Sequence, residues 1–282
     1  MPDVIEKLGQ SLIQHGKDSD RVYLMKLDPR DAATMVADLE RLADANDYGK
    51  LFCKVPAPLA GVFSQAGYQE EARIPRFFDG CTDVAFMSRF RKRDRAQVSD
   101  EQRRAIEQAL TIARQKQEAR EDRSEANHLI RKLGEEDVPQ LAQLYRTVFP
   151  SYPFPIFDEV YLRETMATHI RYFGAFDSGR LVAASSAETD PEARNAEMTD
   201  FATDPNRRKQ GLAIALLQAM EVAMQTAGFA TLYTIARATS VGMNVTFARC
   251  GYQFGGTLIN NTQISGHIES MNVWYKNLTP SR

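Results

Sequence analysis

The sequence lacks most of the features that would take a chain out of the ordinary globular class. It has only three cysteines, Cys53, Cys81 and Cys250. An odd number of distant thiols, with no C-x-x-C, is neither a disulfide framework nor a zinc or dithiol redox motif. His169 and His267 show no metal-ligand spacing, and no metal is expected. No stretch approaches the ~18 uninterrupted apolar residues of a membrane-spanning helix. The opening residues, MPDVIEKLGQSLIQHG, alternate charge with apolar side chains and lack the apolar core of a secretory signal. A surplus of one charge is missing too: 35 Lys and Arg stand against 37 Asp and Glu, for a net −2. General nucleic-acid binding needs a basic surplus or patch. Two phosphate-binding signatures, G-K-[ST] and G-x-G-x-x-G, are also absent. A cytoplasmic protein that binds neither nucleic acid nor membrane is expected.

What the chain does have is a soluble globular balance, 43% apolar and 26% charged. Its 282 residues make one large domain or two ordinary ones. The composition changes once, between Arg89 and Glu125, where charge of both signs is dense and Gly and Pro are absent. Ser99 and Gln102 resemble a capping box, and Ile106, Leu110 and Ala113 keep helical spacing. A mostly solvated helix from about Ser99 to Arg120 is therefore expected within a charged linker (91–125). It joins a first unit (1–90) to a second (126–282). The RKRDR run at its start is read as solvated, because acids follow closely.

In the second unit, HLIRKL (128–133) reads as a strand and 135–149 as a helix. The Pro-aromatic loop SYPFPIFD (151–158) precedes another helix, 159–169. Strands RYFGAFD, RLVAASSAET and AEMTDFAT follow, then an apolar helix over 211–228 with Met220 and Met224 on its core stripe. Gly228 ends that helix as a C-cap. Strand TLYTIARA, helix VGMNVTFARC and two closing strands complete the chain. This mixture without strict βαβ alternation predicts an α/β fold with a mixed sheet.

The most informative segment is AEMTDFAT, DPNRRKQGLA and the helix after it. A strand that enters a helix through a basic, glycine-bearing loop is an anion site, where unpaired N–H groups and the positive helix end converge. Gly211 and the small Ala213 let phosphate oxygens approach the backbone; Arg207, Arg208 and Lys209 add countercharge.

Arg208-Lys209-Gln210-Gly211-Leu212-Ala213 matches R/Q-x-x-G-x-G/A, and the helix ending Phe247…Gly251-Tyr252 matches the "LYxxxGF" end of a fourth helix. These motifs in this order resemble the GCN5-related N-acetyltransferase (GNAT) superfamily. SYPFPI, NAEMTDFAT, YTIARA, GTLINNTQISGHIESMNVWYK and DRVYLMKL resemble one branch along almost the whole chain, the β-lysine N-acetyltransferases. The resemblance implies acetyl-CoA as co-substrate and a small amine, β-lysine, acetylated on its ε-nitrogen to a compatible solute. Another amine (polyamine, lysine or protein lysine) and a catalytically dead acyl-CoA-binding module are the alternatives. Oligomeric state is left open, a homodimer included.

The resemblance also implies roles. Backbone amides of Gln210, Gly211, Leu212 and Ala213 would hold the pyrophosphate beside Arg208 and Lys209. Phe201, Ala202 and Thr203 would pair with the pantetheine, and an N–H near Ala202 would meet the thioester oxygen. Glu197 is the first candidate for general base, with Asp200 and Glu188 as competitors. Strand alternation puts Glu197, Thr199, Phe201 and Thr203 on one face and Met198, Asp200 and Ala202 on the other. Phe247 stands where many relatives carry a Tyr that protonates the thiolate. Either Tyr152, Tyr252 or Tyr233 donates instead, or the thiolate leaves unassisted. Ser240 and Asn244 would touch the CoA arm. Arg237, Arg146 and Arg171 are candidates for the substrate carboxylate; Tyr152, Asn260, Asn261, Glu269 and Asn272 could line the other side.

The first unit echoes the second. Phe63, Gly67, Tyr68 and Gln69 align with Phe247, Gly251, Tyr252 and Gln253, and helix ATMVADLERLADAND with strand KLFCKV mirrors the 211–228 helix and TLYTIARA. At a constant offset the glycine loop falls on YLMKLDP (23–29), which has no Gly. The expectation is a degenerate half-GNAT unit without a CoA site, packed so as to shape the amine pocket.

Overall fold

The computed structural model describes residues 3–118, 128–264 and 266–278. The last expected linker residues fall in 119–127, outside the described part. The first half runs β1 (Val4–Leu8), β2 (Ser11–Gly16), β3 (Arg21–Lys26), α1 (Met35–Asn46), β4 (Lys50–Pro56), α2 (Ala60–Gln65), β5 (Gln69–Phe78) and β6 (Thr82–Phe90). Helix α3 (Asp100–Glu118) follows. The second half runs β7 (Leu129–Lys132), α4 (Val138–Val148), α5 (Glu159–Thr168), β8 (Ile170–Asp177), β9 (Arg180–Asp190) and β10 (Asn195–Thr203). It continues with α6 (Leu212–Thr226), β11 (Thr231–Arg237), α7 (Val241–Arg249), β12 (Gln253–Ile264) and β13 (His267–Asn277).

Among the described residues all thirteen strands form one mixed sheet, ordered β1-β2-β3-β4-β6-β5-β12-β13-β11-β10-β9-β8-β7. Only β3–β4 and β10–β11 are parallel. Either side of the β5–β12 junction the order is the same: β1-β2-β3-β4-β6-β5 matches β8-β9-β10-β11-β13-β12, with a helix at the same two places. The details repeat too. Tyr68 N–H bonds to Phe63 carbonyl at 3.1 Å, and Tyr252 N–H to Phe247 carbonyl at 3.1 Å. Both Phe–Tyr pairs pack edge to face, at 5.4 and 5.0 Å.

The offset between the halves is not constant. Arg21 pairs with Lys50 as Asn195 pairs with Thr231, so residues 21–26 are strand. The counterpart of the glycine loop is therefore 27–34 rather than 23–29. That connection carries Asp28 and Asp31, and Asp31 already accepts from Ser11 N–H and hydroxyl.

Each half has its own core. Leu212, Leu216, Leu217, Met220 and Met224 of α6 join Phe247 and Trp274 on one face of the second half. Residues of α4 and α5, among them Leu141, Tyr145 and Leu162, cover the other face. Val22, Leu24, Leu39 and Phe63 centre the first half. A fourth cluster spans the halves, with Tyr23, Phe52 and Phe86 against Tyr233, Leu258 and Val273. Alternation along β3 explains how one strand serves two clusters: Val22 and Leu24 point one way, Arg21, Tyr23 and Met25 the other.

The linker helix departs from expectation. Its capping box forms, with Ser99 Oγ accepting from Gln102 N–H at 3.2 Å. Yet Ile106, Ala109 and Ala113 are buried, and Gln117 donates to the Tyr252 carbonyl at 2.9 Å, so one face of α3 packs on the second half. No described helix is long and apolar enough to cross a membrane.

Candidate active site

A cavity of about 770 Å³ opens between β10, β11, α6 and α7 and runs inward between the two halves. Its outer part is built by strand divergence. β10 and β11 pair over Asn195–Glu197 and Thr231–Tyr233 only. Beyond that they separate, and Thr199, Phe201 and Thr203 face Thr234, Ile235, Ala236 and Arg237 across a slot. A slot with one unpaired strand edge on each side fits an extended arm with amide groups, such as pantetheine.

At the mouth of the slot the chain turns into α6. Lys209 (φ +65°) and Gly211 (φ +75°) take left-handed backbone, which glycine adopts without strain. Gly211 is the N-cap and gives no side-chain bond, so the first-turn N–H groups of α6 stay uncapped. Asp204 steadies the loop by accepting from Asn206 N–H and from Arg180. Arg207 is paired with Asp177. Arg208 and Lys209 make no ion pair among the described residues, and both line the cavity with Gly211, Leu212 and Ala213. An uncapped helix start with two free cations fits a pyrophosphate. Gln210 is exposed on the same turn, outside the lining.

Further in, β10 is bulged. Thr199 pairs with Ser186 and Ala202 with Ala184, so Asp200 and Phe201 together oppose a single residue of β9. Asp200 sits at φ +55°, in a region non-glycine residues rarely occupy. The bulge overturns strict alternation. Met198 stays in the core with α6 and Ala202 joins the cluster under α4, while Asp200 turns into the cavity beside Thr199. There Asp200 accepts from the Tyr152 hydroxyl at 2.6 Å and from the Ser186 hydroxyl at 2.5 Å.

Glu197 and Glu188 are direct cross-strand partners in the cavity wall. Burial, then the facing Glu188, push the Glu197 carboxyl up to about 7, against the pull of Lys54 and a hydrogen bond from Tyr233. Burial also raises Glu188, opposed by Lys54 and His169. Asp200 is raised by burial, opposed by its Ser186 and Tyr152 bonds. Lys54, from β4, donates to the Tyr233 hydroxyl at 3.2 Å. Three carboxyl groups, Asp200 buried and Glu188 and Glu197 half-buried, thus share one wall with Lys54.

Several expected residues line this cavity: Tyr152, Arg237, Ser240, Phe247 and Asn261 join those already placed. Others do not, each for a visible reason. Asn244 is fully buried, its amide donating to the carbonyls of Arg237, Ala238 and Ser240 and accepting from Asn272 and Trp274. It braces the turn into α7, and Asn272 is consumed there with it. Tyr252 lies beneath Phe247 in the core, its hydroxyl under the influence of Glu221. Asn260 donates to the carbonyls of Arg95 and Gln97, fastening the linker to β12. Glu269 falls outside the lining. Arg146 donates to the Phe157 carbonyl and Arg171 covers the Phe229 ring at 5.4 Å, both away from the cavity.

The sequence reading expected the first half to shape the amine pocket but named none of the residues that do so. Gln14, Arg21, Tyr23, Phe52 and Lys54 form the inner end of the cavity. A charged residue opening the apolar strand RVYLMK was the available signal.

The model of the Acetyltransferase (GNAT) family matches residues 138–252. The beta-lysine N(6)-acetyltransferase of Methanococcus maripaludis is 36% identical over 278 residues, covering 98% of this chain and 99% of that one. The enzyme of the same name from Methanosarcina mazei is 29% identical over 260 residues, covering 85% and 95%. N-acetyltransferase YodP of Bacillus subtilis is 42% identical over 149 residues, covering 53% and 54%. Glycine loop, strand divergence and full-length similarity lead to one assignment. The chain belongs to the GNAT acetyltransferase family and is an acetyl-CoA-dependent N-acetyltransferase.

Proposed function

We propose that the acceptor is β-lysine, acetylated on its ε-nitrogen to Nε-acetyl-β-lysine. The observation that carries this is the acidic wall of the cavity, where Glu188, Glu197 and Asp200 face the space beyond the slot. Such a wall suits a substrate with two ammonium groups, and two relatives that match most of the chain bear the name of that reaction.

An ε-ammonium has a pKa of about 10.4, so a neutral amine at cytoplasmic pH costs roughly 4 kcal/mol. Glu197, raised to about 7, is suited to take that proton, because a base works best with a pKa near the operating pH. Glu188 and Asp200 hold the second ammonium. The bulge frees backbone N–H near Ala202 for the oxygen that becomes negative during acyl transfer; one such donor contributes about 3 kcal/mol. Gln210 to Ala213, with Arg208 and Lys209, hold the pyrophosphate; Phe201, Thr203, Ser240 and Phe247 flank the arm.

No side chain need protonate the thiolate. Tyr252 is in the core, Tyr233 is bonded to Glu197 and Lys54, and Phe247 has no proton to give. Tyr152 lines the cavity, but burial and Asp200 hold its phenol proton well above the ordinary range. A CoA thiolate leaves well enough without it.

The first half, with the same strand order but an acidic loop, and with β3 paired to β4 over Arg21–Leu24 and Lys50–Cys53, is a degenerate GNAT half that shapes the amine pocket. The proposed compartment is the cytoplasm and the partner a small amine. Nucleic acid is not a proposed partner, since Arg91, Lys92 and Arg95 are each paired with acids. Thiol release from acetyl-CoA with β-lysine, α-lysine, spermidine and a lysine peptide tests the substrate. Highest kcat/KM on β-lysine is expected; a better rate on spermidine or the peptide overturns it. CoA binding without turnover of any amine identifies a dead module instead.

A further inference from the structure

Arg21 opens β3 at the inner end of the cavity and is only 3% exposed. Its guanidinium makes three hydrogen bonds, to the Asn261 carbonyl at 2.6 Å, the Thr262 hydroxyl at 2.8 Å and the Gln14 side-chain oxygen at 3.1 Å. All three acceptors are neutral, and Nε has no partner. No described carboxylate lies within ion-pair distance; Asp3 acts on Arg21 only through space. The neighbouring buried Arg95, by contrast, is paired with Asp20 at 3.0 Å. A buried charge without a counter-ion is unfavourable unless something supplies one.

The field of the cavity is dipolar. The Tyr23 ring lies 5.1 Å from the Arg21 guanidinium on one side, and its phenol feels Glu197 and Glu188 on the other. A cation therefore stands at one end of the space and carboxylates at the other. A diamine entering this cavity would turn one charge toward Arg21. A diamino acid would turn its carboxylate there and leave both amines for the acidic wall.

We propose that Arg21, carried by the degenerate half, receives the substrate carboxylate and makes the enzyme select a diamino acid over a plain diamine. This rests on the amine substrate proposed above and deepens it. Guanidinium is the cation of choice for such a task, since its planar fork matches a carboxylate. It also gives the first half a function beyond packing.

The test compares β-lysine with 1,4-diaminopentane, the same skeleton with hydrogen in place of the carboxylate, in wild type, Arg21→Lys and Arg21→Gln. Wild type is expected to favour β-lysine by about 30-fold or more in kcat/KM. Arg21→Gln should remove most of that preference by raising KM for β-lysine, with kcat for β-lysine little changed and the diamine equal or improved. Arg21→Lys should fall between, keeping the charge without the fork. Thr262→Val, which removes only the hydroxyl that orients Nη1, should raise KM for β-lysine a few-fold and leave the diamine alone. It serves if the Arg21 variants fail to fold, which CoA affinity and the melting midpoint report. Equal losses on both substrates, or no loss on either, overturn the proposal and leave Arg21 as a brace for β12. Wild type that acetylates neither amine overturns the substrate reading itself, and the proposal with it.

Discussion

Glu197 owes its poise to its neighbours, and that makes its chemistry testable. Its pKa of about 7 comes from burial and from Glu188 directly across the strand pair. A base must be ionised to accept a proton, so kcat/KM should rise with pH through a midpoint near 7. Replacing Glu188 by Gln removes the like charge while Lys54 remains, so Glu197 should ionise more easily and the acidic limb should move to lower pH. Glu197→Gln should lower the rate at neutral pH by about 100-fold or more, the usual reach of a general base, and leave CoA affinity intact. A pH–rate profile unchanged in both variants would remove Glu197 from the chemistry. Tyr152→Phe discriminates the leaving-group question. If the thiolate leaves unassisted, kcat should drop by less than about tenfold, whereas loss of a general acid typically costs about 100-fold or more. At this scale the sequence was only partly legible. Glu197 could be placed on the cavity face with Thr199, because β10 alternates up to its bulge. Asp200 could not, because a bulge has no sequence period. Asn244, Asn260 and Tyr252 looked functional as polar or phenolic types, but a sequence does not say which backbone carbonyls a buried amide must satisfy.

Two glycines decide how elements meet. Gly211 forms the left-handed start of α6 at φ +75°, so Gly211→Glu brings both strain and an anion to the phosphate turn. CoA affinity should fall by at least about 100-fold in a titration, with little change in the amine wall; retained affinity would sink the loop assignment. Gly256 is where β12 meets β5, opposite Ala72. It sits at φ +143°, and an added Cβ would collide with the Glu71 carbonyl. Gly256→Ala should therefore destabilise the fold by about 2–4 kcal/mol in urea unfolding, while Gly61→Ala, where a Cβ meets nothing, should be tolerated. Elements with strong periods were legible from sequence: α1, β4, β10, α6 and β11 fall within a few residues of expectation. The β1–β2 hairpin was not, because β1 is an exposed edge strand whose charged alternation buries little. The packed face of α3 was also hidden, since small alanines carry its contact with the second half.

At the scale of the whole molecule, the first half and the start of the linker grip three consecutive residues of β12. Lys50, itself fully buried, bonds to Glu71 and to the Ile259 carbonyl, both at 2.7 Å, and Glu71 accepts from Ile259 N–H at 2.7 Å. Arg95 bonds to the Asn260 carbonyl at 2.8 Å, and Arg21 to that of Asn261. This is where β12 leaves its register with β13, between Leu258 and Thr262, and where Asn261 and Thr262 enter the cavity wall. The repeated strand order was visible as a faint sequence echo, but the grip was not, because it is made across more than 160 residues by groups with no counterpart motif. It predicts that folding and substrate binding are coupled. Lys50→Met strands the Glu71 charge in the interior, which should lower the unfolding free energy by about 3–5 kcal/mol. The same variant should raise KM for the amine and spare CoA affinity, because the slot and the glycine loop lie in the other half. Adding Glu71→Leu removes the stranded charge and should restore most of the stability, though not the amine KM, since the tether on Ile259 is gone. Urea unfolding followed at Trp274 and in the far-ultraviolet should give one shared transition throughout. Two separate transitions, or an amine KM indifferent to Lys50, would mean that the halves fold and act independently.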